Sequence, residues 1–358
     1  MTSSTVSTYT PVHLDREYLA GKALDRWREK HPRVWRNSSA SRKSGTLDDF
    51  RTTIRYLEES LASKSPAIFV DYARWLNVFA AGNHLPAEYA LSLFAVLGEV
   101  LEEELPRDFR GDASTILRKS AAELAEAPRT IPSFIREENP HRATAQGYFD
   151  ALLSADNEKA VSIIETAMRS GTAIRDIYLD VIGPALEETG RLWQQQEITI
   201  AQEHYVSAST RALIARMHDR ILSATKKMER KHKTLIAASV ADDYHDIGIR
   251  MVADFFEMDG WHTYYTGGNT PAESLLSAVR EQKADAVAIS CTIPFHITVV
   301  QYQIRMLRAD PATRNVKILV GGYPFSIVPG LWKQVDADAC ARDADEAVAA
   351  VDRLMGAG

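Results

Sequence analysis

The chain has 358 residues, enough for two or three domains at roughly 100–200 residues each. With 45% hydrophobic and 25% charged residues it has the balance of an ordinary globular protein. A net charge of −6 gives no electrostatic case for direct nucleic-acid binding, and no run approaches the ~20 apolar residues of a membrane span.

Residues 1–45 are polar and read as a flexible leader with one helix over 15–28; the first eight residues hold no apolar stretch that could act as a signal peptide. From Thr46 the pattern turns helical. Thr46-x-x-Asp49 resembles a capping box and opens the apolar series Phe50, Ile54, Tyr56, Leu57 and Leu61. Helices follow over 68–81 and 86–104, and Pro106 ends the second. Residues 106–140 hold Pro106, Pro128, Pro132 and Pro140 around one helix and read as a connector, so 46–140 form an N-terminal helical, sensor-like domain. Four more helices read over 142–154, 157–170, 173–195 and 199–224, where Thr199-x-x-Gln202 is a capping box. Their short loops predict a four-helix bundle over 141–228. After the basic linker 226–233, taken as a solvated hinge, short β-rich runs at 235–240, 262–265, 286–290, 316–320 and 337–341 alternate with helical stretches. That alternation predicts a doubly wound, five-stranded parallel sheet over 233–358, Rossmann-like or flavodoxin-like. The two cysteines, Cys291 and Cys340, make neither a disulfide framework nor a spaced metal motif, which suits a reducing cytoplasm.

The residues with chemistry cluster at the strand ends of this last domain. Asp243-Tyr-His245-Asp-Ile-Gly248 follows the first strand, Ser290-Cys-Thr292 the third and Gly321-Gly322 the fourth. Ligands of open α/β sheets bind outside the carboxyl ends of the strands. His245 is therefore placed to coordinate a metal, and Asp243 can accept a hydrogen bond from its other ring nitrogen, fixing the tautomer and raising its basicity. Gly248, Gly321 and Gly322 let backbone approach a bulky group, and Ser290 and Thr292 add hydroxyls along the same edge. Singly, each reads better as an ordinary loop histidine or turn glycine. Their order carries the signal, with 41 residues between Gly248 and Ser290 and 28 between Thr292 and Gly321.

This pattern resembles the D-x-H-x-x-G, S-x-L, G-G signature of base-off, His-on cobalamin-binding domains over about 125 residues, with Thr292 in place of the leucine. The resemblance implies that His245 is the lower axial cobalt ligand and Asp243 its partner, and that Gly248, Ser290, Thr292, Gly321 and Gly322 line a slot for the nucleotide tail. Upstream, Trp193 stands ten residues before Glu203-His204, an arrangement that resembles light-sensing adenosylcobalamin proteins of the CarH type. It implies that Trp193 packs on the 5′-deoxyadenosyl group, that Glu203 bonds to it, and that His204 takes the upper cobalt position once light breaks the Co–C bond, as the bundle shifts. The plainer alternative makes Trp193 a buried bundle residue and Glu203 and His204 solvated residues of a first helical turn.

Tyr72, Trp75 and Phe79 fall at helical spacing with His84 nearby, which suits a packed core. The layout also resembles photocobilins, which hold biliverdin beside cobalamin. With no cysteine before residue 291 such a bilin is noncovalent, and Arg74 and His84 are its candidate contacts. CarH-type repressors begin with a MerR-type winged helix-turn-helix, whereas 46–105 lack a basic recognition helix, so direct DNA binding is not expected. The resemblances imply a cytoplasmic photoreceptor, not an enzyme, that binds adenosylcobalamin and signals through light-dependent homo-oligomer assembly or an unknown protein partner. The alternative is a corrinoid carrier for methyl transfer. A redox or cobalamin-level sensor stays open, and a radical mutase would need a substrate barrel of roughly 250 residues.

Overall fold

The computed structural model describes residues 9–226 and 228–356; residues 1–8 of the expected leader, residue 227 of the linker and residues 357–358 lie outside it. The first helical group comprises α1 (Arg16–Lys30), α2 (Pro32–Asn37), α3 (Ala40–Ala62), α4 (Pro66–Gly82), α5 (Tyr89–Glu104) and α6 (Arg107–Leu124). From residue 9 onward the expected loose leader is instead largely helical and packed. Asp15 caps α1, and the helical spacing of Leu19, Ala20, Ala23 and Trp27 buries one face of it. The expected cap at Thr46 lies inside α3. Ser39 starts that helix by accepting from the Arg42 N–H at 3.1 Å, and Thr46 Oγ1 donates back to the Arg42 carbonyl at 3.0 Å.

The second group is a four-helix bundle: α7 (Arg142–Leu153), α8 (Asn157–Arg169), a short α9 (Ile174–Asp176) that widens into a π-helical segment (Ile177–Ile182) and continues as α10 (Gly183–Gln194), and α11 (Ile200–Thr225). The sequence predicted one regular helix over 173–195, and Pro184 explains the difference. It has no N–H to give the Asp180 carbonyl, which accepts from Asn139 Nδ2 at 2.6 Å instead, and the ladder widens by one residue around the gap. The capping box at Thr199 is present and starts α11 after a turn.

The last domain contains β1 (Thr234–Val240), α12 (Ile247–Met258), β2 (His262–Thr270), α13 (Ala272–Glu281), β3 (Ala286–Ser290), α14 (Ile297–Ala309), β4 (Lys317–Gly321), α15 (Tyr323–Ile327), α16 (Leu331–Gln334), β5 (Ala339–Ala341) and α17 (Ala344–Leu354). Its five strands are all parallel in the order β2-β1-β3-β4-β5, with Leu235 opposite Ala286 and Ala286 opposite Lys317. The two-residue period divides the strands between two cores. Leu235, Ala237, Ala288 and Leu319 pack toward α12, α17 and the bundle, while Ile236, Ala238, Val287, Ile289 and Ile318 pack toward α13 and α14. The linker before β1 is tied down: Arg230 pairs with Glu257 at 2.6 Å and Lys231 with Asp259 at 2.6 Å. Among the described residues no helix is long and apolar enough to cross a membrane.

Candidate functional site

The chain leaves β1 through Asp242, whose φ of 64° is steadied by an Asn269 Oδ1 that accepts from its N–H at 2.8 Å. Asp243 then points inward and is fully buried. Its Oδ1 accepts from His245 Nδ1 at 2.7 Å and from the His245 N–H at 3.1 Å, and its Oδ2 accepts from the Thr292 N–H at 2.6 Å. Burial alone pushes this carboxyl up, but the hydrogen bonds from the His245 ring and N–H and from the Thr292 N–H, with the His296 imidazole close by, outweigh it and hold the group well below the usual carboxylate range. Asp243 is therefore an anion that binds Nδ1–H of His245 and leaves Nε2 as the free lone pair of the neutral ring. The Asp243 bond raises the proton affinity of His245 against the opposing effect of burial. The histidine side chain is 60% exposed, so the basic nitrogen faces outward from a buried anchor.

A cavity of about 360 Å³ lies between the sheet's carboxyl edge and the bundle. Gly248, Ser290, Gly321 and Gly322 line it from the sheet side, and Tyr178, Gly183 and Pro184 of the widened helix line it from the bundle. Gly322 sits at φ 99°, and a Cβ there would overlap the Cys291 carbonyl, so the close approach of these two loops requires glycine. Below the slot Tyr178 donates to Asp254 Oδ2 at 2.6 Å, and His218 Nδ1 is 2.8 Å from Asp254 Oδ1, which joins bundle to sheet domain. Arg211 of α11 makes a second link to Asp246 at 2.7 Å.

Above His245 the boundary is formed by helix ends. Glu203 accepts from Ser207 Oγ at 2.8 Å, and its charge is close enough to raise the proton affinity of His245. His204 is 3.5 Å from Glu203 and 71% exposed. Trp193 is half-buried, its ring 6.4 Å from both Trp75 and Phe79, which stack on each other at 5.1 Å. The rings continue from Trp75 to Tyr72 at 6.4 Å, Tyr56 at 4.2 Å beyond and Phe295 at 5.6 Å, an arc from α10 to the loop after β3.

The predicted residues thus fall into three places. Asp243, His245 and Thr292 form one hydrogen-bonded unit; Gly248, Ser290, Gly321 and Gly322 share the slot; Trp193 and the Glu203-His204 pair stand on the bundle side. Sequence reasoning missed His296, which is 5% exposed with Nδ1 3.9 Å from Asp243 Oδ2 and without a hydrogen-bond partner. Its only signal was its place six residues after Ser290. It also missed Tyr178 and Asp254, which no motif marks.

Among the described residues no three His, Cys, Asp or Glu side chains converge to hold a bare ion. A metal taken by His245 must therefore arrive with most of its ligands already in place. A cobalt corrin meets that condition: it needs one basic nitrogen from the protein, an open edge for a wide ring and a glycine-lined slot for its tail, and the residues present fit all three.

Residues 233–352 match the B12 binding domain family, and residues 144–217 match a second B12 binding domain family. The chain binds cobalamin. This cobalamin-binding chain is similar to dimethylamine corrinoid protein 3 of Methanosarcina acetivorans, 23% identical over 207 residues that cover 58% of this chain and 94% of that one. It is also similar to dimethylamine corrinoid protein 2 of Methanosarcina mazei, 27% identical over 209 residues, 58% of this chain and 90% of that one. The solved structure of the Methanosarcina barkeri monomethylamine corrinoid protein has the same fold, with a TM-score of 0.52 at 18% identity, covering 60% of this chain and 100% of that chain.

These relatives correct the functional expectation. The chain resembles amine corrinoid proteins over both bundle and sheet, and not the light-sensing CarH-type or photocobilin proteins. The photoreceptor function, the biliverdin chromophore and light-dependent assembly fall with that resemblance. The side chains named for a bilin are engaged elsewhere: Arg74 is paired with Glu123 of α6 at 2.6 Å on the outer surface, and His84 is exposed in the turn after α4. Tyr72, Trp75 and Phe79 belong to the ring arc that reaches Trp193.

Proposed function

We propose that the chain is a corrinoid carrier for methyl transfer, a protein that holds the cofactor for a separate methyltransferase and is not itself a catalyst. The observation that carries this reading is the pairing of helical bundle and sheet in one chain, which amine corrinoid proteins share over nearly their whole length. When bound, the cobalamin would supply a cobalt that accepts and gives up a methyl group. In this reading His245 would hold the cobalt through its free Nε2. Asp243 keeps the proton on Nδ1 and turns the ring outward, and the Thr292 N–H holds Asp243. Gly248, Ser290, Gly321 and Gly322 would hold the tail in the slot and keep water from it. Trp193, Glu203 and His204 would border the upper side, where an apolar indole shields the transferable group. The nearby Glu203 charge strengthens the lower histidine by favouring positive charge on it.

The wall of Trp193, Trp75 and Phe79 favours a second reading of the cofactor's form, in which the upper group is flat and aromatic, as in the adenosyl form. Titrating the purified chain with methylcobalamin and with adenosylcobalamin separates the two. A carrier takes the methyl form at least as tightly, whereas adenosyl binding tighter by tenfold or more supports the second reading and removes the first.

A further inference from the structure

Neither B12 binding domain match includes residues 9–140, yet α3 and α4 of this region contact both the bundle and the segments that follow β3 and β4. Their contacts fall at three places. At the bundle end, Gln194 Nε2 donates to the Trp75 carbonyl at 3.0 Å, and Gly82 is so close to the Gln195 backbone that a Cβ would overlap it. Beyond β4, Tyr323 donates to Asp71 at 2.8 Å. Beyond β3, the Arg55 guanidinium lies 3.8 Å from the centre of the Phe295 ring, whose edge meets Tyr56. Three segments, the end of α10, the loop after β3 and the start of α15 after β4, are therefore bridged by α3 and α4 of the same chain.

The bridge is fastened at one buried point. Tyr9, ahead of α1, donates its hydroxyl to Glu59 of α3 and meets Thr298 Oγ1 of α14 at 2.9 Å, while Thr298 donates to Glu59 at 3.1 Å. The Tyr9 carbonyl also accepts from Gln301 Nε2 at 2.8 Å. Tyr9 and Glu59 are almost wholly buried, so these bonds form in a dry seam between the helical group and the sheet domain. On the other side the helical group continues into the bundle through 125–130, before Ile131 is fixed to Gln195 at 2.9 Å.

We propose that α3 and α4 are an autoinhibitory cover over the upper side of the cobalamin cleft, latched by Tyr9, Glu59 and Thr298 and hinged at 125–130. The cover must open for cobalamin to enter and, on the carrier reading given above, for a methyltransferase to reach the cobalt. A carrier closed in this way holds its methyl group away from water and from unselected acceptors until a partner displaces the helices. The ring arc from Trp193 to Phe295 is the apolar face that opening uncovers.

The full chain with Asp71→Cys and Tyr323→Cys, in a Cys340→Ser background, is bridged across the rim by a cleavable bis-maleimide. Hydroxocobalamin entry is then followed by stopped-flow absorbance before and after the bridge is cut. Bridging slows entry at least tenfold and cleavage restores it, while Tyr9→Phe in the otherwise native chain speeds entry several-fold. Equal rates in the bridged, cleaved and Tyr9→Phe proteins overturn the cover. Protein loaded with methylcobalamin before bridging gives a separate readout, the loss of its methyl group to a thiol in extract of the protein's own cells. If entry is gated but no methyl leaves either form, the cover stands and the carrier reading fails.

Discussion

Replacing Asp243 with asparagine tests how the protein prepares His245 while changing almost no volume. The carboxylate accepts on both sides at once, from His245 Nδ1 and N–H at one oxygen and from the Thr292 N–H at the other. An asparagine has one acceptor oxygen and one NH2, so neither orientation of the amide can serve both sides. If oxygen faces Thr292, the NH2 meets Nδ1 and forces the proton onto Nε2, the nitrogen that must be free for a metal. If it faces His245, the Thr292 N–H is left against a donor inside the protein, at a cost of about 1–3 kcal/mol. Loss of such a carboxylate partner weakens metal binding by roughly 10–100-fold, or about 1.4–2.7 kcal/mol. The expected Asp243→Asn protein thus folds, is modestly less stable to urea, and binds cobalamin 10–100-fold more weakly with loss of histidine ligation. Spectrophotometric titration with hydroxocobalamin and electron paramagnetic resonance of the cobalt(II) form read both quantities. Wild-type affinity with an unchanged histidine nitrogen splitting would refute the reasoning, because the ring would then need no anionic partner.

Two further outcomes follow from the geometry. Gly322→Ala adds a Cβ in a left-handed backbone and against the Cys291 carbonyl; strain of about 1–2 kcal/mol plus overpacking of about 1–3 kcal/mol lowers the urea midpoint and narrows the slot. An unchanged midpoint and unchanged cobalamin affinity refute it. The latch predicts a pH dependence: burial pushes the Glu59 carboxyl up to about 7, with Tyr9 and Thr298 bonded to it, Glu58 beside it and Arg16 paired with Glu58. Exposed by opening, Glu59 returns toward its ordinary 4.5, so closure is strongest at low pH, weakens as pH rises from about 4.5 to 7, and stays weak above that. A rise from 4.5 to about 7 corresponds to at most roughly 3–4 kcal/mol. Hydroxocobalamin entry therefore speeds up between pH 5 and 7 in the native chain, levels off above that, and is flat in Glu59→Gln; parallel profiles contradict the assignment.

The parts of the molecule legible in sequence are those fixed by neighbours along the chain. Asp243 and His245 are two residues apart, and their pairing needs only the turn after one strand. The strands are short Val-, Ile- and Ala-rich runs with little competing pattern, and the Thr199 capping box closes over a single turn. Thr46 offered the same local pattern and misled, because Ser39 and the buried face of α1 started the helix earlier. Pro184 was visible, but its effect depended on Asn139 reaching the freed carbonyl from 41 residues away. The Tyr72, Trp75 and Phe79 stripe gave the helix and its face but not its partner, since Trp193 is more than a hundred positions downstream. Tyr9 carried no signal at all, its role resting on α3 and α14 meeting around it. Function was the least legible, because Trp193 and Glu203-His204 suggested a light sensor while the whole bundle and sheet resemble amine corrinoid proteins.

The most direct measurement loads the chain with methylcobalamin carrying a labelled methyl group and adds a thiol acceptor, with and without soluble extract of the protein's own cells. The label is then followed from protein to thiol in darkness. A carrier loses its label to the thiol only when extract is present, and the His245→Ala protein, unable to hold the cobalt from below, shows no such extract-dependent transfer. Label that stays on the native protein through the full time course with extract and thiol both present contradicts the methyl-carrier account.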